Sequence, residues 1–223
     1  MEFLPIRYAG ERVYAGFWRR FCALWVDGFI IILPVRFFLF WLEGFDKTLA
    51  IVIMIPSAAF SPMYHVYFNT RYGGSPGKLA AGIKITRPDG TKIGWTEAIA
   101  RSAVDMAFAL VILCLQVWAL TRISDADYLN ASGIFEQARL IQSHRPSWAS
   151  QIIDIIGQVW IWSELIVLLL NKRKRALHDF IAGTIVIRKR FADIAAKPWS
   201  SDPTSDADWV NASRRYVRGE SDR

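Results

Sequence analysis

The sequence has few of the residues that build disulfide frameworks and metal sites. Its 223 residues include two cysteines and three histidines. Cys22 and Cys114 lie in separate apolar stretches without a CxxC neighbour, which predicts two small buried hydrophobic residues instead of a disulfide or metal pair. Because metal and haem ligands come in groups, we expect neither a metal nor a cofactor.

Signatures of several functional classes are also missing. The pair His178-Asp179 has no serine or cysteine nucleophile motif beside it, so we do not expect an enzyme. The net charge of +7 comes without a basic helix or an RNA-binding signature, so no nucleic-acid partner is expected. Residues 1–16 lack the apolar core of a signal peptide, and the first apolar stretch is therefore expected to act as an uncleaved anchor.

Long apolar stretches dominate what the sequence does contain. Hydrophobic residues make up 53% of it, and its mean hydropathy is +0.22. The apolar residues are clustered in blocks long enough to cross a bilayer, which needs about 20 residues each. We predict four transmembrane helices, and Pro56 and Pro62 predict a kink or distortion in the second. The predicted spans are residues 20–42, 48–68, 95–120 and 149–170.

Basic residues are distributed unevenly between the two sides of this four-span arrangement. Most of the 27 Lys and Arg residues fall in the N-terminal segment, the 69–94 loop and the C-terminal part, which share one side. The opposite side holds only Lys47, Arg122, Arg139 and Arg145. Since positively charged loops stay in the cytoplasm, we predict that both termini are cytoplasmic.

The loop before the third span predicts a β-hairpin on the cytoplasmic face. Ile83-Lys-Ile-Thr86 alternates in polarity, Pro88-Asp-Gly90 is typical of a turn, and Thr91-Lys-Ile93 resumes the alternation. The strand-like Thr184–Arg188 segment is a candidate partner for this hairpin in a small sheet. The predicted fold class is therefore an all-α membrane protein with four transmembrane helices and a small cytoplasmic-face hairpin.

The remaining long segments predict little regular structure. In the outer loop, 123–148, residues 125–142 predict a surface helix. Residues 191–223 are polar and poor in aliphatic side chains, which predicts a mostly disordered cytoplasmic tail. The predicted organisation is a transmembrane domain over residues 1–190, followed by this tail.

One acid, Asp27, lies inside the first apolar run. It falls within Phe21–Val35, where a carboxylate costs about 2.5–3.5 kcal/mol on an insertion scale and so usually has a partner and a function. Arg20 lies seven residues earlier on the same helix face, roughly 10 Å away along the axis, too far for a direct pair. The partner of Asp27 must therefore come from another helix.

Three further charged residues are predicted at a similar depth. Arg101 and Asp105 follow Glu97 at helical spacing in the third span, and Glu164 precedes the end of the fourth. With a rise of about 1.5 Å per residue, all the candidates lie about 8–15 Å inside the cytoplasmic boundary. The predicted inner-leaflet cluster comprises Asp27, Arg101, Asp105 and Glu164. It is either an ion-pair network that locks the helices together or a proton or cation site with coupled carboxylates.

Three separated segments carry a resemblance to a known family. They are Ala15-Gly-Phe-Trp-Arg-Arg-Phe-Cys-Ala-Leu-Trp-Val-Asp27, Gly73-Gly-Ser-Pro-Gly-Lys-Leu-Ala-Ala-Gly-Ile-Lys-Ile85 and Arg175-Ala-Leu-His-Asp-Phe-Ile-Ala-Gly-Thr-Ile-Val-Ile-Arg188. In this order, with apolar spans between them, they resemble the RDD family of bacterial membrane proteins. The family is named for one arginine and two aspartates. By position, these hallmark residues match Arg20, Asp27 and Asp179.

The resemblance implies a multi-pass protein of the bacterial inner membrane. Transport, including cation/proton exchange, has been suggested for some members, so we expect ion or small-solute transport through the predicted cluster. The alternative is a membrane interaction or assembly protein, without transport, whose buried ion pairs are structural. The expected partners are the bilayer, its anionic headgroups, and either a second copy of the chain or another membrane protein.

Overall fold

The computed structural model of this chain describes residues 4–8, 10–131 and 133–195. Four of its helices are long and apolar enough to cross a bilayer. They cover Phe17–Glu43, Lys47–Tyr72, Trp95–Leu120 and Ser147–Leu170. The predicted fold class is confirmed, with each helix beginning or ending within a few residues of the predicted span.

The first span is a continuous helix made of three pieces. Helix α1 covers Phe17–Trp25, a π-helical segment covers Val26–Ile32, and α2 covers Leu33–Glu43. The π-helical segment ends two residues before Pro34, whose ring collides with the carbonyl four residues earlier in a regular α-helix. A wider turn relieves that collision, and such turns are often found at functional sites. Asp27 lies at the start of this segment.

The second span, α3, covers Lys47–Tyr72 and runs without interruption through Pro56 and Pro62. Its first turn is capped by Asp46, whose Oδ2 atom accepts the amide groups of Thr48 at 2.9 Å and Leu49 at 3.1 Å. These bonds satisfy two of the amide donors that a helix leaves open at its beginning.

The other helices are α4 (Pro76–Ala80), α5 (Trp95–Leu120), α6 (Asp125–Asn130), α7 (Ile134–His144), α8 (Ser147–Leu170), α9 (Leu177–Ile181) and α10 (Lys189–Ala195). The surface helix predicted over residues 125–142 is thus two helices. Gly133, which precedes α7, has a φ of 99°, a left-handed conformation that a continuous helix cannot contain. Cys22 and Cys114 are both exposed, so the prediction of burial was wrong, because both lie on span surfaces that only lipid or a partner would cover.

Two small antiparallel sheets accompany the helices. Strands β1 (Arg7–Tyr8) and β2 (Glu11–Arg12) form one, and β3 (Ile83–Thr86) and β4 (Ile185–Arg188) form the other. In the second sheet Ile83 pairs with Arg188 and Thr86 pairs with Ile185. The predicted pairing of the 83–93 loop with the C-terminal segment is therefore confirmed.

The second arm of the predicted hairpin, Thr91–Ile93, is not a strand. Asp89 explains this difference. Its Oδ1 atom accepts both the amide and the hydroxyl of Thr91, at 2.9 and 2.7 Å, so the amide is used inside the turn and not in a ladder. The turn is closed by the Arg87 amide, which donates to the carbonyl of Thr91 at 2.9 Å.

The chain divides into two compact units. The first unit comprises the described residues of Met1–Asp27, Val66–Arg101 and Glu164–Arg223, and the second comprises Gly28–His65 and those of Ser102–Ser163. The first unit contains both sheets, and its buried hydrophobic residues include Ala23, Ile83, Ile85 and Val186. The second unit has a core that includes Met54, Leu120, Tyr128 and Ile141.

Helix α10 carries ordered structure beyond residue 190, the predicted end of the folded domain. Phe191 and Ala192 are buried against Val13, Tyr14 and Ile187. Because of these apolar contacts, Phe191 and Ala192 belong to the folded part of the chain and not to the predicted tail. The remainder of that tail, residues 196–223, lies outside the described residues.

Candidate functional site

Asp179 is fully buried in the first unit, near the beginning of α9. Its Oδ2 atom accepts Arg20 Nη1 at 2.7 Å and the Ala176 amide at 2.9 Å, and its Oδ1 atom accepts Arg101 Nη1. Burial alone would raise the pKa of Asp179, but the guanidinium groups of Arg101 and Arg20 hold it well below its usual range. Asp179 therefore stays ionised and ties three parts of the chain together.

Arg20 connects the first span to the segment that precedes α9. Beside its ion pair with Asp179, its Nη2 atom donates to the carbonyl of Lys174 at 2.6 Å. Lys174 has a φ of 51°, the left-handed region that residues with side chains rarely occupy. Arg20 thus binds both the strained turn at Lys174 and the acid that follows it. One side chain therefore holds two partners that lie 154 and 159 residues later in the sequence.

Arg101 connects the third span to the same place through His178. Its Nη1 atom also donates to Thr184 Oγ1 at 2.8 Å, and its Nη2 atom lies 2.6 Å from His178 Nε2. A guanidinium can only donate, so His178 Nε2 accepts and carries no proton. The proton of the neutral ring is then on Nδ1, which lies 2.5 Å from Glu164 Oε2.

Glu164 completes this arrangement from the fourth span. Its Oε1 atom accepts the backbone amide of His178 at 2.8 Å, while its Oε2 atom faces the ring. Burial and the positive charge of Arg101 lower the pKa of His178, which keeps the ring neutral near pH 7. We call these five residues the Asp179 cluster: Arg20, Arg101, Glu164, His178 and Asp179.

Arg175 stabilises the backbone next to the Asp179 cluster. Its Nη2 atom donates to the carbonyl of Asp179 at 3.0 Å and its Nε atom to the carbonyl of Thr184 at 3.1 Å. The guanidinium carbon lies 4.1 Å from the centre of the Phe180 ring, a cation–π distance. Arg175 therefore fixes the backbone of α9 and of the turn that leads into β4.

Asp27 has different partners from those of Asp179. It is almost fully buried, its Oδ2 atom accepts the Ser75 hydroxyl, and its Oδ1 atom accepts the Gly77 amide at 2.7 Å. Ser75 precedes α4, and Gly77 lies in its first turn, where helix amides have no partner within the helix. Asp27 thus caps α4 from across the unit, with two hydrogen bonds that together compensate its burial.

Gly77 allows that contact because it has no side chain. A Cβ atom at this position would collide with the carbonyl oxygen of Ala23 and lie 2.8 Å from Asp27 Cγ. Each residue of the Ser75-Pro76-Gly77 motif therefore contributes to the contact between α4 and α1. Serine donates to the acid, proline begins the helix, and glycine lets α4 approach α1 closely.

Lys78 lies beside both hallmark acids. Burial and the charge of Arg101 lower the pKa of Lys78 to about 7, although Asp27 and Asp179 act in the opposite direction. No ion pair within 4.0 Å is found for its ammonium group in the described part of the chain. A pKa of about 7 means that the charge of Lys78 changes near neutral pH.

Only some residues of the predicted inner-leaflet cluster contact a common partner. Arg101 and Glu164 meet through His178, and Asp27 lies in the same unit but binds the turn before α4. Asp105 belongs to the second unit. Within the first unit, Asp27, Arg101 and Glu164 are each hydrogen-bonded, as expected for a structural lock.

The second unit contains a cavity of about 670 Å³. Its wall is formed by residues of α2, α3, α5 and α7, and it includes charged side chains of both signs. We call it the charged cavity. Its charged residues are Arg36, Glu43, Asp105 and Arg145.

The charges of the cavity are not equally satisfied. Arg36 Nη1 donates to the carbonyl of Ser57 at 2.5 Å. Glu43 is attracted electrostatically by Arg36 and forms a hydrogen bond with the Ser57 side chain. Arg145 Nε is buried and has no hydrogen-bond partner in the described residues. Asp105 is exposed and is one of the residues that line the cavity. An arrangement of this kind can bind a polar or charged molecule.

Comparison with known families decides the classification of the chain. The profile of the RDD family matches residues 14–183. The protein belongs to the RDD family. A search of curated proteins finds no match. The matched region contains Arg20, Asp27 and Asp179, the positions predicted as the family's hallmark, and every residue of the Asp179 cluster.

Sequence reasoning missed several residues of this RDD protein. Ser75 and Gly77 were not predicted as the partners of Asp27, although their place in a family motif was a usable signal. His178 was considered only as half of a His-Asp pair without a nucleophile, and the spacing of the charged residues does not indicate its contacts with Arg101 and Glu164. Arg145 was counted only as a loop charge, and nothing in the sequence marks it as part of a cavity wall.

Proposed function

We propose that this RDD protein moves a small polar solute or an ion across its membrane and that the charged cavity is the binding site. The cavity is the observation that carries the proposal. Its volume falls within the range of about 300–1,000 Å³ that is typical of small-molecule sites. Charged groups on transmembrane helices are costly, and they commonly mark pathways for ions and solutes.

The proposed location is the bacterial inner membrane, with both termini in the cytoplasm. The concentration of Lys and Arg on the side of the N-terminal segment, the 69–94 loop and the C-terminal part supports this orientation. In this topology the first unit faces the cytoplasm. Its basic residues would contact anionic headgroups, and a second copy of the chain or another membrane protein would add contacts in the bilayer.

A second candidate function is assembly or interaction without transport. The observation that favours it is the Asp179 cluster, in which a fully buried acid is paired with two arginines and accepts the backbone amide of Ala176. Such a network stabilises a fold without needing a substrate. We also propose that the protein is not an enzyme, since both ring nitrogens of His178 are occupied by Arg101 and Glu164.

Transport is tested in proteoliposomes that hold the full-length protein. An imposed pH or Na⁺ gradient is applied with a pool of sugars, amino acids and organic cations outside. Entrapped dyes report gradient dissipation, and mass spectrometry of the contents reports solute entry. We expect entry or dissipation above that of empty liposomes, and we expect Asp105→Asn to abolish it without a change in melting temperature.

Asp125→Asn is the matched control, since this acid is exposed and pairs with Lys47 at the surface. It should transport like the unmodified protein. Asp27→Asn should lower the melting temperature and leave transport per folded molecule unchanged. Transport that survives Asp105→Asn would remove the charged cavity from the pathway, and an unmodified protein indistinguishable from empty liposomes would favour the assembly role.

A further inference from the structure

The two arginines that line the charged cavity differ in their partners. Arg36 Nη1 donates to the carbonyl of Ser57, and the guanidinium of Arg36 also attracts Glu43. Arg145 has neither kind of contact with a residue of the cavity. Its Nε atom is buried without a hydrogen-bond partner in the described part of the chain, which is unfavourable for a polar donor. Arg145 is therefore the basic residue of the cavity whose donors can serve a ligand.

One acid acts on Arg145 without neutralising it. Asp154 attracts the charge of Arg145, but among the described residues the two form neither an ion pair nor a hydrogen bond. Asp154 belongs to α8 and is not among the residues that line the cavity. Arg145 therefore keeps both its charge and its hydrogen-bond donors for a molecule inside the cavity.

Two amide side chains line the cavity close to Arg145. Gln142 lies one turn before it, and the Arg145 backbone amide donates to the carbonyl of Gln142 at 3.3 Å. Gln116 lies one turn before Leu120, the end of α5, and Leu120 is packed in one core with Ile141, the neighbour of Gln142. We call Arg145, Gln116 and Gln142 the donor end of the cavity, since all three side chains carry N–H groups.

The two acids that line the cavity are separated from the donor end along the helices. Asp105 and Gln116 both lie on α5, roughly 16 Å apart at about 1.5 Å per residue. Glu43 lies near the first turns of α7, because the carbonyl of the next residue accepts Gln137 Nε2 at 3.1 Å. Gln137 is about 12 Å from Arg145 along α7. An anion at Arg145 is therefore not placed directly beside either acid.

Much of the remaining wall is apolar. It includes three aromatic and two aliphatic side chains, which are Phe37, Phe40, Phe108, Met54 and Ile112. An apolar wall with a few convergent polar groups is typical of sites for small organic molecules. An inorganic anion would leave this apolar surface without contacts, whereas an organic anion with an apolar body would cover it.

From this arrangement we infer that the charged cavity binds an organic monocarboxylate, with its carboxylate on Arg145 and its apolar body against the phenylalanine side chains. The inference rests on the proposed function and names its substrate class. A guanidinium binds a carboxylate through two parallel hydrogen bonds. The side-chain amides of Gln116 and Gln142 supply further donors for the same oxygens. One carboxylate matches the one arginine of the cavity whose donors are unused in the described part of the chain.

The test measures binding to the full-length protein in nanodiscs, with empty nanodiscs correcting for partition into lipid. The probes are phenylacetate, hydrocinnamate and hexanoate, each compared with its primary amide and with the amine of equal chain length. Titration calorimetry and ligand-induced shifts in melting temperature give the affinities. At least one acid should bind about 10- to 100-fold more tightly than its amide and its amine, because hydrogen bonds between charged groups are stronger than those between neutral groups.

Variants of Arg145 assign the carboxylate to this residue. Arg145→Gln should reduce the affinity for the acid to that for its amide. Arg145→Lys keeps the charge without the paired donors, so it should still prefer the acid, at reduced affinity. Arg122→Gln is the control, because Arg122 lies over the Trp118 ring and is not among the residues that line the cavity. Its affinities should equal those of the unmodified protein, and melting temperatures show that each variant is folded.

An acid of this kind reaches the cavity either from water or from the bilayer, and chain length distinguishes the two sources. Palmitate, delivered from cyclodextrin, is the probe for an acid taken from the bilayer. Tighter binding of hydrocinnamate than of palmitate supports a water-soluble acid. Tighter binding of palmitate that is lost in Arg145→Gln supports the same carboxylate contact with an acid from the membrane.

Failure of the substrate class and failure of the transport proposal give different results. Equal binding of the amide or the amine overturns the inference, and so does a preference for the acid that persists in Arg145→Gln. If no carboxylate binds while proteoliposomes still accumulate a solute or dissipate a gradient, the inference fails and transport stands. Carboxylate binding without any transport keeps the binding site and removes transport. An absence of both overturns both.

Discussion

The Gly77 amide donates to Asp27 Oδ1 at 2.7 Å, so an acid in the first span caps a helix that begins 49 residues later in the sequence. The contact explains how a costly carboxylate is tolerated near the start of an apolar run. Its hydrogen bonds come from a serine hydroxyl and a backbone amide. The position of Asp27 therefore depends on α4 being in place.

Gly77→Ala should destabilise the protein. The added Cβ atom would meet the carbonyl of Ala23 and the side chain of Asp27, and overpacking of this kind costs about 1–3 kcal/mol. The melting temperature in detergent or nanodiscs measures the effect. Gly157→Ala is the matched control, because a Cβ atom there meets nothing within 4 Å and alanine favours a helix. Equal stability of the two variants would contradict the close packing of α4 on α1.

Asp179→Asn should be more damaging. It leaves two arginines, Arg20 and Arg101, in the buried cluster without their counter-charge, and breaking a buried pair costs about 3–5 kcal/mol. Urea unfolding or thermal unfolding of the reconstituted protein reports the loss. For comparison, Asp125→Asn removes an exposed partner of Lys47 and should cost less than about 1 kcal/mol. A mild phenotype for Asp179→Asn would mean that the arginines find other acceptors.

His178 should make stability depend on mildly acidic pH. Its pKa in the folded protein lies below the ordinary value of 6.5, because burial and Arg101 disfavour the charged ring. The unfolded chain therefore binds a proton first, and stability should be complete above pH 6.5 and decline as the pH falls below it. The decline ends below the folded pKa, where both states are protonated.

Melting curves between mildly alkaline and mildly acidic pH check this dependence. His178→Asn keeps an amide donor towards Glu164 but cannot titrate, so its melting temperature should be nearly constant over the range in which the unmodified protein declines. Asp179 contributes only at much lower pH, because its pKa is held well below the usual range of a carboxyl. An identical slope in His178→Asn would place the titrating group elsewhere.

Lys78 should react with amine-directed reagents at a lower pH than an ordinary lysine does. Its pKa of about 7 leaves a large fraction of the amine unprotonated at pH 7.5, whereas an ordinary lysine is almost entirely charged. Mass spectrometry after brief acetylation gives the rate at each lysine as a function of pH. The rate at Lys78 should reach half of its maximum near pH 7, and Lys84 serves as the internal comparison. A Lys78 profile that rises only above pH 9 would exclude the lowered pKa.

The sequence predicted the membrane spans and the family well, because both depend on local patterns. Runs of apolar residues give the spans, and three short segments carry the family match. The partners of the charged residues were not predictable in the same way. Asp27 and Ser75 meet because α4 packs on α1, and no periodicity within either segment reports that contact.

The predicted cluster illustrates the same limit. Depth along a helix placed Arg101 and Glu164 at a similar level. The residue that contacts both, His178, lies in the short helix α9 outside the spans, for which helical rise along a span gives no position. Depth also grouped Asp105 with Arg101 because they are one turn apart. The division of the chain falls between them, and packing within each unit assigns them to different surroundings.

The pairing of Arg20 with Asp179 has a consequence for the synthesis of this protein. The two residues are 159 positions apart, so the first span enters the membrane long before its acid has been made. Until that moment, Arg20 and Arg101 have no carboxylate from α9 to bind. A chain that ends before α9 would carry all four spans and still lack the residue that joins the first to the third, so the contacts of the Asp179 cluster form only after the last span has been made.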